Sequence, residues 1–229
     1  MAKTRNILKL CFGVALFVAN INLKAQNIFI KNKGQFPKQV NAKVNLPSGS
    51  MFIEDGKLVY AFYSSSQLES VHDLTTKKKE IDAHSYKVEF VNSNTNISNF
   101  FLEESVYYEN YFLGDKSSWA HNVKSYKRLY QEGVYNGIDV QYYTDEGRLK
   151  YDIIVAPKGF VNQVQIKYLG LEKIRIRDGD LYLTTTVNTV KELKPYAYQI
   201  INGKELEVSC AYILENNVVS FFLSEGYDQ

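Results

Sequence analysis

Cysteine, proline and tryptophan are scarce in this chain of 229 residues, which has two cysteines, four prolines and one tryptophan. Two cysteines exclude a scaffold held by several disulfides, and four prolines exclude a collagen-like or proline-rich chain. No apolar run reaches the roughly 18 residues of a membrane-spanning helix. Charge of one sign is not in excess either, and 45% of the residues are hydrophobic, so the composition is not that of a disordered protein.

The first 25 residues have the order of features found in a secretory signal peptide. A basic start is followed by an apolar segment (10–21) and by the small residue Ala25, ahead of an expected cleavage before Gln26; the basic residues are Lys3, Arg5 and Lys9. The alternative is a buried N-terminal helix. We predict an exported protein, located in the periplasm, at the cell surface or outside the cell, with no transmembrane span after cleavage.

Removal of residues 1–25 changes both the charge and the cysteine count. Lys24 leaves with the three basic residues named above, so 23 basic residues face 25 acidic ones and the net charge becomes −2. This weakly acidic balance gives no reason to expect a nucleic-acid partner. Cys11 leaves as well, and Leu10 before it does not fit a lipidation site. Cys210 then remains alone, so we expect no internal disulfide.

Short segments of alternating apolar and polar residues recur along the chain, and turn residues separate them. Asn202-Gly203 is the strongest hairpin signal, because a type I′ turn needs positive φ at both of its central residues. Further turn pairs are Asp55-Gly56, Glu146-Gly147, Asp178-Gly179 and Asn216-Asn217. We predict an all-β fold, an antiparallel β-sandwich-like domain built from hairpins and meanders.

The mature chain, residues 26–229, is predicted to be a single all-β domain. Residues 67–83 form its most polar segment and are expected to be a long loop with room for one helical turn. The alternative is a division near residues 64–83 into two smaller units, both of them β.

Three stretches of the sequence form a recognisable ordered set. They are Asn32-Lys33-Gly34-Gln35-Phe36-Pro37, a second stretch that runs through residues 110–114, 119–123, 135–139 and 149–157, and Leu193-Lys194-Pro195-Tyr196-Ala197-Tyr198-Gln199. Together they resemble a known family, the uncharacterised N-terminal domain of large exported bacterial proteins. That domain precedes SBBP-type β-propeller repeats or gliding-motility-associated C-terminal domains. The resemblance implies a cell-envelope protein normally fused to downstream β repeats, and it implies no catalytic residue. This chain departs from the family at Lys158-Gly159-Phe160-Val161 and stops at Gln229, where relatives run on.

Asp139, Lys150 and Asp152 form the polar set that is best suited to catalysis or ion binding. If Glu146-Gly147 closes a hairpin, the three side chains share one face of the sheet. Two carboxylates beside a lysine can serve acid–base catalysis or bind an ion. The alternative is a cross-strand charge pair on the solvent face.

Signals for cofactors and metals are missing from the sequence. It has no serine-hydrolase elbow, phosphate-binding loop or dinucleotide fingerprint. The three histidines, His72, His84 and His121, do not have the spacing of a zinc site. We therefore expect no cofactor, no metal and no enzymatic activity.

Aromatic residues are abundant, with 18 tyrosines and 13 phenylalanines. Tyrosine suits half-buried strands, so the core and its edges are expected to hold most of them. An exposed subset could instead form a platform for a glycan or a protein. The speculative binding set is Trp119, Tyr108, Tyr111, Asp139, Lys150 and Asp152.

Three functional hypotheses follow. The first is a non-catalytic exported domain of the cell envelope, a structural or adhesive module that binds protein or glycan. The second is a carbohydrate-active or ion-dependent hydrolase that uses Asp139 and Asp152. The third is a fragment without an independent role, which predicts an unpaired sheet edge near Phe221 to Leu223.

Overall fold

The fold comes from a computed structural model, which describes residues 7–16, 28–71, 80–145, 147–157 and 159–224. Strands make up 64% and helices 6% of the structure, so the predicted all-β fold is confirmed. The helix α1 covers Ser65–Val71, and short 3-10 helices cover Lys116–Ser118 and Val161–Gln163. In chain order the strands are β1 (Ile7–Leu16), β2 (Phe29–Lys31), β3 (Ala42–Leu46), β4 (Gly49–Glu54), β5 (Lys57–Tyr63), β6 (Ala83–Phe90), β7 (Ser98–Tyr111), β8 (Ala120–Tyr135), β9 (Ile138–Asp145), β10 (Arg148–Val155), β11 (Ile166–Leu169), β12 (Lys173–Arg177), β13 (Asp180–Thr184), β14 (Thr189–Glu192), β15 (Tyr196–Ile201), β16 (Lys204–Val208), β17 (Cys210–Glu215) and β18 (Val218–Leu223).

Alternation along the strands decides which side chains enter the core. In β5, Leu58, Tyr60 and Phe62 are buried while their neighbours are half-buried or exposed. Successive side chains of a strand point to opposite faces, so a period of two places one set inside. Full burial of a large apolar side chain contributes about 1.5–3 kcal/mol.

The predicted turn pairs all lie between paired strands. Asn202 and Gly203 both have positive φ, 51° and 77°, and join β15 to β16 as a type I′ turn requires. The four other pairs join β4 to β5, β9 to β10, β12 to β13 and β17 to β18. Glu146, in the β9–β10 turn, lies outside the described residues.

Antiparallel ladders connect the strands into a continuous network. One branch runs β7–β8–β9–β10–β1–β15–β16, and β14–β13–β12 joins it through β1. A second branch leaves β8 and runs β2–β3–β4–β5–β6–β11–β18–β17. The short strand β11 therefore lies between β6 and β18.

One large hydrophobic cluster collects buried side chains from both branches. Tyr60 and Tyr86 stack inside it, with ring centroids 4.8 Å apart. Tyr168 of β11 and Tyr151 of β10 meet Glu192 of β14 through hydrogen bonds. Strands that are distant along the ladders thus face each other across one core, as in a sandwich.

Strand β18 contains the residues at which the fragment hypothesis predicts an unpaired sheet edge. It pairs with β17 along its length, but its ladder with β11 includes only Val218 and Val219. Phe222, near the end of β18, is 55% exposed. The fragment hypothesis itself stays a prediction.

The structure describes only parts of two segments about which the sequence made predictions, namely the expected leader and the polar segment 67–83. Of the expected leader, Ile7–Leu16 forms β1, with Leu8 and Leu10 buried; cleavage before Gln26 stays a prediction. In the polar segment, helix α1 is longer than the single turn expected, and residues 72–79 lie outside the described residues. The choice between one domain and a division near 64–83 stays a prediction.

Candidate functional site

Strands β7 and β8 form a long two-stranded structure whose outer half leaves the rest of the sheet. We call β7, β8 and the connection 112–119 the ribbon. β8 pairs with β9 between residues 128 and 135 and with β2 only at Ser125 and Tyr126, whereas β7 follows β8 as far as Ala120. An isolated two-stranded ribbon is marginally stable in water, so its outer half needs other support.

That support comes from the loop after β2, residues 32–41, which we call the Asn32 loop. Ile30, Ala120 and Val123 form a small buried cluster, and Phe36 and Tyr111 pack against it. The rings of Phe36 and Tyr111 meet edge-on with centroids 5.5 Å apart. One face of the ribbon's outer half is therefore covered.

A single side chain organises the Asn32 loop. The Asn32 amide nitrogen donates to the carbonyl oxygens of Phe36, Pro37 and Val40, at 3.2, 3.0 and 2.7 Å. Its Oδ1 accepts from the backbone N–H groups of Gly34 and Phe36. Lys33 extends from the loop and donates to the His121 carbonyl oxygen at 2.8 Å. The loop is thus held in one shape and tied to the ribbon.

A β-bulge pushes apolar side chains outward from β7. Between the pairs Glu104–Tyr126 and Tyr108–Lys124, three β7 residues lie opposite Ser125 alone. Extra residues of a bulge are unpaired and redirect side chains. Val106, in this bulge, is 89% exposed, and Tyr107 is 62% exposed.

The end of the ribbon carries a second group of exposed apolar side chains. The Phe112 ring meets the Trp119 ring edge-on at 5.3 Å and the His121 ring at 4.9 Å. The Trp119 indole N–H donates to the Gly114 carbonyl oxygen at 3.3 Å. We call the exposed side chains of the bulge and the ribbon end the tip surface; its members are Val106, Tyr107, Tyr108, Phe112, Leu113 and Trp119.

Among the aromatic residues predicted to bind, the structure separates two environments. Tyr108 and Trp119 belong to the tip surface. Tyr111 lies on the covered face, where its hydroxyl donates to the Glu109 carboxylate. Partial burial, with this hydrogen bond, raises the pKa of Tyr111 well above its usual range. Tyr111 therefore supports the ribbon, and its assignment as a binding residue stays a prediction.

An open cleft of about 530 Å³ lies beside the inner half of the ribbon. Its lining contains two lysines and no acidic residue. The Lys31 ammonium lies 5.0 Å from the centre of the Phe101 ring, a cation–π arrangement. The lining residues are Lys31, Asn32, Gly34, Phe36, Lys38, Val40, Asn41, Asn99 and Phe101.

Hydrogen bonds fix the amide side chains of this cleft. Asn41 and Asn99 both donate to Asp55 Oδ1, at 2.7 and 2.8 Å. Asn99 Oδ1 accepts from Gln131 Nε2 at 2.9 Å. Gln131 is fully buried and accepts from the Tyr142 hydroxyl. A continuous polar network thus runs from the core to the cleft wall.

The three predicted polar residues of β9 and β10 do share one face of the sheet. Asp139 lies opposite Ile154, and Asp152 lies opposite Gln141, which places both carboxylates and Lys150 on one side. This alignment follows from the predicted hairpin.

Each of those three side chains has a partner that gives it a structural role. Asp139 accepts from the Tyr130 hydroxyl at 2.5 Å and from the Gly133 N–H at 2.7 Å, beside the register shift between β8 and β9. Lys150 pairs with Asp145 at 2.5 Å. Asp152 is buried and accepts from the Tyr143 hydroxyl at 3.0 Å. Their assignment as binding residues stays a prediction.

Buried Glu192 is the least expected polar group of the structure. The Tyr151 and Tyr168 hydroxyls donate to its carboxylate, each at 3.2 Å, and Tyr60 and Tyr86 lie in the same core cluster. Burial raises the pKa of Glu192 from 4.5 to about 7, and the two hydrogen bonds oppose this rise. The shared parity of Val190 and Glu192 in β14 is the sequence signal that could have located it.

Metal ligands do not converge within the described residues, where no group of three or more His, Cys, Asp or Glu side chains could hold an ion. His84 contacts the Thr186 hydroxyl and the Gly170 carbonyl oxygen, His121 lies on the ribbon, and His72 is outside the described ranges. Cys210 is partly buried, which raises the pKa of its thiol to about 12. None of the helices in the described part is long and apolar enough to span a membrane.

Comparison with known proteins places the chain in a family. Residues 29–229 match DUF7948, a domain of unknown function. The chain belongs to the DUF7948 family. The match begins at the first strand after the expected leader and includes the ribbon, the Asn32 loop and the Glu192 core. Searches of curated proteins and of solved structures found no match.

Proposed function

We propose that this DUF7948 chain is a non-catalytic, exported module of the bacterial cell envelope that binds a partner protein through the tip surface. The observation that carries the proposal is the exposure of six apolar side chains on one projecting ribbon, although the same chain buries many aromatic side chains in a large core. Groups of exposed apolar residues mark interaction sites in soluble proteins.

The composition and support of the tip surface favour a protein partner. Aromatic residues are enriched in the cores of protein interfaces, whereas acidic residues are depleted there. The tip surface has four aromatic and two aliphatic members and no acid. Edge-on contacts already fix the Phe112 and Trp119 rings, so little side-chain entropy is lost on binding.

The family resemblance supplies the biological setting of the proposal. Domains that resemble this chain precede SBBP repeats or gliding-motility-associated domains in exported bacterial proteins. The adhesive role and the fusion to downstream β repeats rest on that resemblance, and export rests on the leader-like residues 1–25.

A glycan is the second candidate ligand, and the cleft beside the ribbon favours it. Side-chain amides held in place by a hydrogen-bond network can recognise hydroxyl groups, and Lys31 and Lys38 can pair with carboxylate substituents. Phe36 lines the cleft and also packs against Tyr111, so the cleft adjoins the ribbon that carries the tip surface.

The test uses the full chain, purified from the cytoplasm of an expression host, and an envelope extract of the source bacterium. Captured proteins are identified and purified, and their dissociation constants are measured. We expect Trp119→Ala and Phe112→Ala each to weaken binding by about tenfold or more. Phe222→Ala, which removes an equally exposed ring from β18, is the matched control and should change binding by less than about twofold.

A glycan array with the same proteins separates the two candidates. Binding that Lys31→Ala and Asn99→Ala abolish, and that the tip variants retain, would assign the ligand to the cleft and contradict the protein-binding proposal. Partner binding that persists at full strength in both tip variants would contradict it as well.

A further inference from the structure

Strand β1 occupies an interior position in the sheet. It pairs with β10 from Leu8 to Val14 on one side, and with β15 from Ile7 to Cys11 and β14 from Val14 to Leu16 on the other. Leu8 and Leu10 enter the main core with 2% and 0% exposure. We call the position between β10 and the pair β14/β15 the slot.

The residues that fill the slot overlap the leader that we expect to be removed. Cleavage before Gln26 would take β1 away and leave the facing edges of β10 and β15 without partners. The core side chains opposite Leu8 and Leu10 would lose their cover; these are Val155, Ile153 and Ala197. Unpaired strand edges bind extended chains readily.

The slot cannot close by a simple approach of its two walls. β1 is antiparallel to both β10 and β15, so these two strands run in the same direction. Direct pairing would need a parallel ladder and a movement of about one strand spacing, close to 5 Å. β10 is also held by β9, and β15 by β16, along most of their lengths.

We propose that the slot is an acceptor site for an extended strand of another protein, which binds there antiparallel to β10 and β15 once residues 1–25 have been removed. The inference rests on the export part of the proposed function. Addition of a strand to an open sheet edge is an established mode of peptide recognition, in which backbone hydrogen bonds give affinity and side-chain pockets give specificity.

The walls of the slot define the chemistry of its occupant. The positions of Leu8 and Leu10 face the core and require apolar side chains. The intervening outward positions tolerate polar residues, as Lys9 shows. At the position of Cys11, Asp152 lies directly across on β10 and Tyr196 on β15, so a hydrogen-bond donor such as serine or threonine fits there. The expected occupant has apolar residues in alternation and a small donor three positions after the first of them.

Within the part of the chain that the structure describes, a second copy has no spare strand to supply. Each of β2 to β18 already takes part in a ladder within its own molecule. Exchange of one of them would open an equivalent gap elsewhere. A strand from a different protein fills the slot without that loss.

The test measures binding of a fluorescent peptide with the sequence of residues 6–17, carrying Cys11→Ser, to the mature chain 26–229. We expect saturable binding and a rise in thermal stability. The same peptide with Leu8→Asp and Leu10→Asp should bind roughly 100-fold more weakly, because both carboxylates would enter the core. A mature chain that is folded and monomeric but does not bind the parent peptide would overturn the proposal.

Cross-linking checks the register of the bound peptide. A peptide that retains Cys11 should form a disulfide with Tyr196→Cys in a Cys210→Ser background, since these positions are directly opposite. Glu205→Cys on β16 is the control and should not react. Equal reaction at both positions would contradict the assigned register.

A second version of the experiment applies if the mature chain does not fold alone. A protease site placed within residues 17–27 of the full chain allows cleavage after folding, and labelled peptide should then exchange with β1. No exchange under conditions that release β1 would overturn the proposal. Trp119→Ala should leave peptide binding to the slot unchanged. Mass spectrometry of the exported protein tests cleavage separately. A failure of the proposed function can therefore be distinguished from a failure of the slot proposal.

Discussion

Tyrosine has opposite roles in the core around Glu192 and on the ribbon. In the core, the rings of Tyr151 and Tyr168 are buried and their hydroxyls donate to one carboxylate. On the ribbon, the rings of Tyr107 and Tyr108 face solvent. The difference arises from what lies opposite each strand face. Tyr168 of β11 meets Glu192 of β14 in the core from the other branch of the sheet, whereas the Asn32 loop covers only one face of the ribbon. An abundance of tyrosine therefore does not locate a binding site.

The largest expected effect is a loss of stability when a tyrosine of the core is removed. Tyr168→Ala should lower the free energy of unfolding by about 3–5 kcal/mol, because it opens a cavity and removes a hydrogen bond from Glu192. Urea denaturation followed by circular dichroism measures this change. A loss below about 1 kcal/mol would show that the core around Glu192 is not tightly packed.

The pH dependence of stability comes next in size. The pKa of Glu192 is raised to about 7 by burial, so the folded protein binds this proton more tightly than the unfolded chain does. The protonated Glu192 stabilises the fold fully below about pH 4.5. This stabilisation is lost as the pH rises through 7, which lowers the free energy of unfolding by roughly 3 kcal/mol. Glu192→Gln should remove this loss.

Urea titrations of both proteins between pH 4.5 and 8 test that prediction. The difference between the two curves isolates Glu192 from the other titrating groups. Curves that run parallel across the whole interval would contradict a buried carboxyl with a raised pKa.

Substitution of Tyr86 should change the free energy of unfolding by a smaller amount and in the opposite direction. Its hydroxyl oxygen is buried without a hydrogen-bond partner among the described residues. A buried polar group without a partner costs about 1–3 kcal/mol, so Tyr86→Phe should raise the free energy of unfolding by about 1 kcal/mol. Tyr168→Phe is the matched control and should lower it, because that hydroxyl has a partner. A loss of stability in Tyr86→Phe would show that its hydroxyl is satisfied.

The smallest effect on stability is expected on the tip surface. Tyr107→Ser removes an exposed ring and should change the free energy of unfolding by less than about 0.5 kcal/mol. Thermal unfolding of this variant beside Tyr168→Ala gives the comparison directly. A large loss would show that the Tyr107 ring stabilises the bulge and is not available to a partner.

Local patterns made the fold predictable from sequence. Turn pairs such as Asn202-Gly203 and Asp178-Gly179 act over four residues, and the alternation of Leu58, Tyr60 and Phe62 needs only one strand. Both signals report on neighbouring residues, which is why hairpins, strand faces and the all-β class were accessible. The shared face of Asp139, Lys150 and Asp152 followed from the same kind of local pairing.

The candidate site depends on long-range contacts, which the sequence patterns did not predict. The cleft joins the Asn32 loop to Asn99 and Phe101 on β7, and no periodicity connects residues so far apart. The bulge that exposes Val106 depends on the register of β7 against β8, which strand patterns do not determine. Glu192 was missed because its burial depends on tyrosines from two other strands.

The position of β11 between β6 and β18 gives the folding of this chain a time order. During synthesis β6 precedes β11, so one side of β11 has its partner at once, whereas β18 follows about 50 residues later. At about 5–20 residues per second, the second side waits roughly 3–10 seconds. Through that interval a nascent β11 presents an unpaired edge with Tyr168 on it, and such an edge can pair with a wrong strand.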